Sequence, residues 1–258
     1  MKKRSHFNIF LISILTVLGN TPASAALILD PAQPITHRIT VQPIIVSDDN
    51  GLNTATFFGN TGQQSIIEGL VDNIWAQASI DINFLTPNSW SNTFANSGDP
   101  TDNNPRPVSD LNDIANNGTS AGVTHSDPNV VNIFFINIAA GFSIFGDNTA
   151  AGLAFRPGND ISQYVGANLP GFSNGRDVIA SVVAHEIGHN LGLPHLVDFQ
   201  NLMQLSASPN QGGRLNSIQI TTALNSNLSI AIVPLPAAIW FLGSGLIGLI
   251  SLSKTRKA

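Results

Sequence analysis

Apolar positions along the chain recur with two spacings, and the spacing assigns the elements. From Ile39 to Val46 β-branched and polar residues alternate ahead of Asp48-Asp49-Asn50-Gly51, the pattern of a strand leaving into a turn. Between Ser65 and Ser79, Ile66, Ile67, Leu70, Val71, Ile74 and Trp75 recur at helical spacing, which predicts an amphipathic helix with these residues on its core side. Ile80 to Leu85 alternates again, as a strand does. Pro87 to Pro128 is dense in Asn, Asp, Gly, Ser and Pro, so a long, loop-rich surface insertion is expected there. Val130 to Ile138 is almost wholly apolar and β-branched or aromatic, the signature of a strand buried on both faces. Ala151 to Gly158 reads as a further strand followed by a turn, and Ile161 to Val165 as a short one. Asn174-Gly175-Arg176-Asp177 then precedes an apolar stripe of Val178, Ile179, Val182, Val183, Ile187 and Leu191, a helix expected to end near Leu191. This order of strands and helices is that of a mixed α/β layer domain.

The two ends follow other rules. Residues 1–25 combine Lys2, Lys3 and Arg4, an apolar run from Phe7 to Leu18, and Ala23-Ser24-Ala25, the arrangement of a cleaved secretory signal peptide. The run of about 12 residues is short of the roughly 20 that span a bilayer. No charge occurs from Val233 to Ser253; about 18 apolar residues from Pro236 onward are just enough to cross hydrocarbon, and Lys254-Thr255-Arg256-Lys257 is a cationic stop. Read plainly, this is a C-terminal membrane anchor. The run Val233-Pro234-Leu235-Pro236 with Trp240-Phe241-Leu242-Gly243-Ser244-Gly245-Leu246 also resembles the PEP-CTERM sorting tail of Gram-negative bacteria, with Leu235 where the family name has glutamate. The resemblance implies an exosortase-type processing enzyme as a partner, and a cell-surface or extracellular location reached from an initially membrane-tethered form. The expected organisation is a signal peptide at 1–25, a catalytic domain at 26–229 and the tail with its transmembrane segment at 230–258.

Charge narrows the function classes. Six of the 11 basic residues belong to the two ends, so the body holds five arginines against all 16 acids, a net charge of −11. Such a surface repels a phosphate backbone, which argues against a nucleic-acid partner. The 258 residues include no cysteine, which excludes disulfides, zinc–thiolate sites and thiol nucleophiles.

The chemistry concentrates in His185-Glu186-Ile187-Gly188-His189. Four residues on a helix advance about 400°, so both imidazoles emerge on nearly one face and a single metal ion can bridge them. Gly192 allows a sharp turn at the helix end, and His195 can return to close the site. With six His, two Glu and 22 Gly in the chain, chance yields the full pattern through His195 with odds on the order of a few in a million. Three neutral imidazoles leave the fourth position of a tetrahedral zinc open to water, the mark of a catalytic rather than a structural site.

His185 to His195 resembles, without a mismatch, the extended metzincin pattern His-Glu-x-x-His-x-x-Gly-x-x-His. The resemblance implies a zincin domain with a twisted mixed sheet, an active-site helix and a small C-terminal subdomain. It implies Zn2+ held by His185, His189 and His195, with Glu186 as the general base that takes a proton from water and passes it to the leaving amine of a protein or peptide substrate. It places Met203, the only methionine besides the initiator, in a turn beneath the metal; the other reading of Met203 is a core filler. The strand from Leu153 to Arg156 corresponds to the edge strand that offers backbone hydrogen bonds to substrate. No tyrosine follows Met203, since the single tyrosine is Tyr164, and Leu196 after the third histidine points to no subfamily.

Other readings stay open at this level. Asp198 is a substitute third ligand, His37 and His125 read as loop residues, and calcium at Asp99, Asp102, Asp110 or Asp113 finds no matching loop spacing. The expected function is a secreted or surface-tethered zinc endopeptidase. The competitor is a surface matrix or adhesion protein whose metal site is structural or vestigial. Ligation by neutral imidazoles sets a further expectation, that zinc affinity falls below about pH 6.

Overall fold

A computed structural model of the chain describes residues 27–55, 61–97, 107–137, 152–164, 176–204 and 212–232. The signal segment at 1–25, the tail from 233 onward, and Ile138 and Val165 lie outside the described residues. Among the described residues no helix is long and apolar enough to cross a membrane.

The sheet is built around β1 (His37–Ser47), the longest strand. Parallel neighbours flank it in the order β2 (Ile80–Phe84), β1, β4 (Val130–Ile136), β6 (Asp160–Tyr164), and β5 (Gly152–Ala154) closes the far edge antiparallel to β6. β3 (Asn88–Ser91) pairs with β1 at Ile44–Ser47, on the side where β2 pairs at His37–Val41. The interruption falls at Leu85–Pro87, where a proline has no amide to give to the ladder. β7 (Ile230–Ala231) pairs antiparallel with His37 and Arg38 of β1, ahead of its pairing with β4. Residues 230 and 231, which the sequence pattern gave to the tail, are therefore held by backbone hydrogen bonds in the sheet.

Both faces of the sheet are covered. All seven residues of β4 are buried, and they alternate: Val131, Ile133 and Phe135 face one apolar cluster, Phe134 and Ile136 the other. β1 does the same with Ile39 and Val41 against Ile44 and Val46. Helices α1 (Thr61–Ala76) and α4 (Arg176–Asn190) pack on the first face. The stripe of α1 that reaches the core is Ile67, Val71, Ile74 and Trp75, all fully buried, whereas Ile66, expected on the core side, is 43% exposed. Ile66 sits about 100° around the helix from Ile67, on the far shoulder of that stripe.

The second face is covered by the segment expected to be loop. It contains β3, α2 (Thr93–Ser97) and α3 (Pro107–Ser120). Among the described side chains, α3 contributes Leu111, Ile114 and Ala115 to the core, and β3 contributes Trp90. A helix that inserts so few large side chains leaves little apolar period in its sequence, so the composition of Asn, Asp and Gly dominated the reading. The Asn216 cap opens α5 (Ser217–Leu224), where the Asn216 side chain accepts from Gln219 N and the Gln219 side chain bonds back to Asn216 N.

Candidate metal centre

α4 buries Val183, Ala184 and Ile187 against the sheet and presents His185 and His189 one turn apart on another face. Gly192, at φ +94°, ends the helix. Leu193 N donates to Gly188 O at 2.9 Å and Gly192 N to His189 O at 2.8 Å, the paired bonds of a Schellman turn. That turn delivers two things to the site. It returns the chain so that His195 Nε2 lies 3.0 Å from His189 Nε2, and it aims Leu193 O at His189 Nδ1, 2.8 Å away.

The hydrogen bonds fix the tautomers. Carbonyl oxygens only accept, so His189 Nδ1–H donates to Leu193 O, and His185 Nδ1–H donates to Leu202 O at 2.7 Å. In the neutral rings the lone pairs then sit on the Nε2 atoms, and those atoms face one another 3.1 Å apart. No proton remains to bridge two neutral rings so arranged; the contact calls for a cation between them. The ligand atoms of His185, His189 and His195 all lie within 4.8 Å of one another. Nitrogens at about 2.05 Å from a tetrahedral zinc would be roughly 3.3 Å apart, so the cluster fits zinc. Burial is the main cause that pushes His185 and His189 down to about 4, and it also lowers His195, with the nearby Arg156 charge adding to the effect at His189 and His195. Exposure is graded across the cluster: His189 is buried, His185 half-buried and His195 exposed.

Glu186 is 6% exposed, and burial pushes its carboxyl up to about 8. Its side chain lies against the first residue of the edge strand β5. A Cβ on Gly152 would come within 2.7 Å of Glu186 Cγ and 3.0 Å of its Oε1, so only glycine leaves the carboxyl its place.

Met203 is fully buried under α4, where a Cβ on Gly188 would be 2.5 Å from its Sδ. It packs against Gly188, one residue before His189, from a tight turn, and is at the same time part of the main apolar cluster. Leu196 N donates to Met203 O and Asn201 Oδ1 accepts from Met203 N. Asn201 and Gln219 exchange two side-chain amide hydrogen bonds, each 2.9 Å, which tie this turn to α5. Asp198 lies in the same loop but outside the histidine cluster, with its carboxylate accepting from Gln200 N. His37 pairs with Thr36 Oγ1 and His125 accepts from Asp127 N, both apart from the cluster. Among the described residues no second group of three potential metal ligands occurs; Asp99 and Asp102 lie outside them.

One residue of the site, Asn190, left no mark in the sequence pattern. Asn190, 1% exposed, donates to Phe155 O at 2.9 Å and Asp160 O at 3.3 Å, and its own carbonyl accepts from Gly158 N. It thereby fastens the β5–β6 turn, which carries Arg156, to the end of the active-site helix. A polar residue at a helix end is too common to signal such a role.

A sequence-family profile described as Reprolysin-like metallo-peptidases of family M12B matches residues 71–196, a stretch that closes on the third histidine of the cluster. Residues 71–196 thus resemble a metallopeptidase sequence and include all three histidines of the cluster. Among solved structures, this chain is similar to metalloproteinase-II from Bacteroides fragilis, at 14% identity and a TM-score of 0.44 over 75% of this chain; it spans 56% of that one. It is also similar to archaemetzincin from Methanopyrus kandleri, at 15% identity and a TM-score of 0.47, with 74% of this chain and 96% of that one covered. Archaemetzincin from Archaeoglobus fulgidus, complexed with malonate, gives 16% and 0.43, with 72% and 99% covered. No curated protein matches this chain significantly.

Proposed function

We propose that the protein is an exported zinc endopeptidase of metzincin type. The observation that carries this reading is the convergence of three Nε2 lone pairs, two of them with tautomers locked by Leu202 O and Leu193 O. His185, His189 and His195 would hold the ion, whose chemistry in such a site is to acidify water toward neutral pH and polarise a carbonyl. Glu186 takes the proton of the attacking water and delivers it to the leaving amine. A carboxyl whose burial raises its pKa toward neutrality suits that exchange, because proton transfer in both directions is fastest when the pKa lies near the working pH. The outer edge of β5, which has no strand partner among the described residues, is the edge along which an extended peptide would pair beside Glu186. Met203 and Gly188 form the floor under the histidines.

The test is hydrolysis of casein and of a peptide panel by the purified full-length chain loaded with zinc. Wild type is expected to cleave, chelator to abolish cleavage, and Glu186→Gln to abolish it while zinc stays bound. Zinc retained by both forms with no hydrolysis by either would refute the reading and leave the metal a structural part.

The signal pattern at 1–25 and the PEP-CTERM-like tail support export to the surface of a Gram-negative bacterium and processing near Pro234-Leu235-Pro236 by an exosortase-type enzyme. Mass spectrometry of the surface fraction is expected to find a mature N-terminus at Ala26; an intact residue 1 in that fraction would refute cleavage.

A further inference from the structure

Arginines are scarce in the acidic body of this chain, and the structure describes three of their side chains. Arg38 Nε lies 2.6 Å from Asp81, and Arg214 Nε 3.2 Å from Asp30. Arg156 is exposed and makes no ion pair among the described residues. It is also the one beside the histidines: the turn that carries it is hydrogen-bonded to Asn190, the residue that follows His189.

Its position is built. Phe155 on one side and Gly158 on the other are both hydrogen-bonded to Asn190, the buried residue that follows His189. The turn that bears Arg156 is therefore fixed to the histidine-bearing helix at two points, and a cation unpaired among the described residues is held near the histidines. Such a cation attracts an anionic group of anything laid along the site beside it.

We propose that Arg156 makes the enzyme select substrates with an acidic side chain on the amino side of the scissile bond. This rests on the peptidase reading above and names a substrate class for it. The direction follows from the strand. A peptide laid antiparallel along the edge of β5 that has no strand partner among the described residues has its scissile bond beside Gly152, where Glu186 lies, and its amino-terminal side running toward the C-terminal end of β5. Arg156 lies two residues beyond that end. At about 3.3 Å per residue, the substrate position facing it is two to four residues before the cleaved bond. A guanidinium there can hold a carboxylate through two parallel hydrogen bonds.

Two measurements test this on the full-length chain. In the first, a peptide library is digested and the cleavage sites are aligned. Wild type is expected to enrich Asp or Glu at one position on the amino side, and Arg156→Gln to lose the enrichment. For paired peptides differing only by Glu or Gln at that position, Arg156→Gln is expected to lower kcat/KM about tenfold for the Glu peptide, through KM, and to leave the Gln peptide within about twofold. Arg156→Glu is expected to shift the preference toward Lys or Arg. No acidic preference in wild type, or equal losses on both peptides, would overturn the proposal. In the second, the same two peptides are bound at equilibrium to Glu186→Gln protein, which cannot consume them. Tighter binding of the Glu peptide, abolished by adding Arg156→Gln, supports the selection, and equal binding overturns it. Preferential binding without any hydrolysis by wild type would uphold the selection and refute the peptidase reading instead.

Discussion

The floor of the metal site hangs on one buried amide pair, and its removal has a calculable effect. Asn201 and Gln219 are each 3% exposed. Replacing Gln219 by Met keeps the volume nearly constant, so no cavity opens. The substitution removes both amide–amide bonds and the bond from Asn216 N to Gln219 Oε1. At about 1 kcal/mol net for each of three hydrogen bonds, the cost is about 3 kcal/mol, and the orphaned Asn201 Nδ2 has no access to water that would reduce it. In a domain of this size each kcal/mol moves Tm by about 2–4 °C, so the metal-free Gln219→Met chain should melt about 6–12 °C below wild type. Thr221→Ala on the same helix, which removes only the exposed bond to Ser217 O, should stay within about 0.5 kcal/mol and serves as the control. The effect should reach the metal. Leu202 O, the acceptor for His185 Nδ1, is the next residue after Asn201, and disturbing such an orienting partner weakens metal binding by about tenfold. Unfolding by urea and by heat, with zinc affinity by competition against a chromophoric chelator, measures both. A loss under 1 kcal/mol would show that water or a neighbouring group replaces the amide pair, and that the turn does not depend on α5.

Gly152→Ala places a methyl group 2.7 Å from Glu186 Cγ, so the carboxyl must swing aside; kcat should fall about 10- to 100-fold with zinc affinity unchanged within about twofold, and an unchanged kcat would mean the side chain has slack. The pH window for zinc should lie below the one ordinary imidazoles give. Protons compete with metal only below the pKa of the ligand, and burial lowers His185 and His189 to about 4 in the folded protein, against about 6.5 for a free ring. Equilibrium dialysis should therefore find zinc largely retained at pH 5.5 and lost as the solution approaches pH 4; release complete by pH 6 would refute the buried, tautomer-locked geometry. Removing the metal leaves the Nε2 lone pairs facing one another without a cation, so chelator should lower Tm, by roughly the equivalent of 4 kcal/mol where free zinc had stood a thousandfold above its dissociation constant. An unchanged Tm on chelation would show that the folded state does not bind the ion.

What the sequence disclosed and what it hid differ by the length scale of the interaction. Val130–Ile136 and the stripe Ile67, Val71, Ile74, Trp75 were legible because burial on a strand or helix repeats with the period of the backbone and leaves that period in the residues. The histidine cluster was legible for a related reason: two ligands one turn apart and a glycine at the helix end are constraints local to eleven residues. α3 and β3 leave the pattern of a loop because their described contribution to the core, Leu111, Ile114 and Ala115 from one and Trp90 from the other, is too sparse to show a period. The parts of the site that were hidden are those made between segments. Asn190 fastens Phe155 and Asp160 across some thirty residues, Gln219 supports Asn201 across eighteen, and Gly152 matters only through Glu186, thirty-four positions on. None of these residues is unusual where it stands in the chain. Each becomes specific only when the sheet brings the edge strand, the active-site helix and the Met203 turn together, so the ligands can be found by spacing, whereas the groups that aim them and the charge that fronts them require the fold.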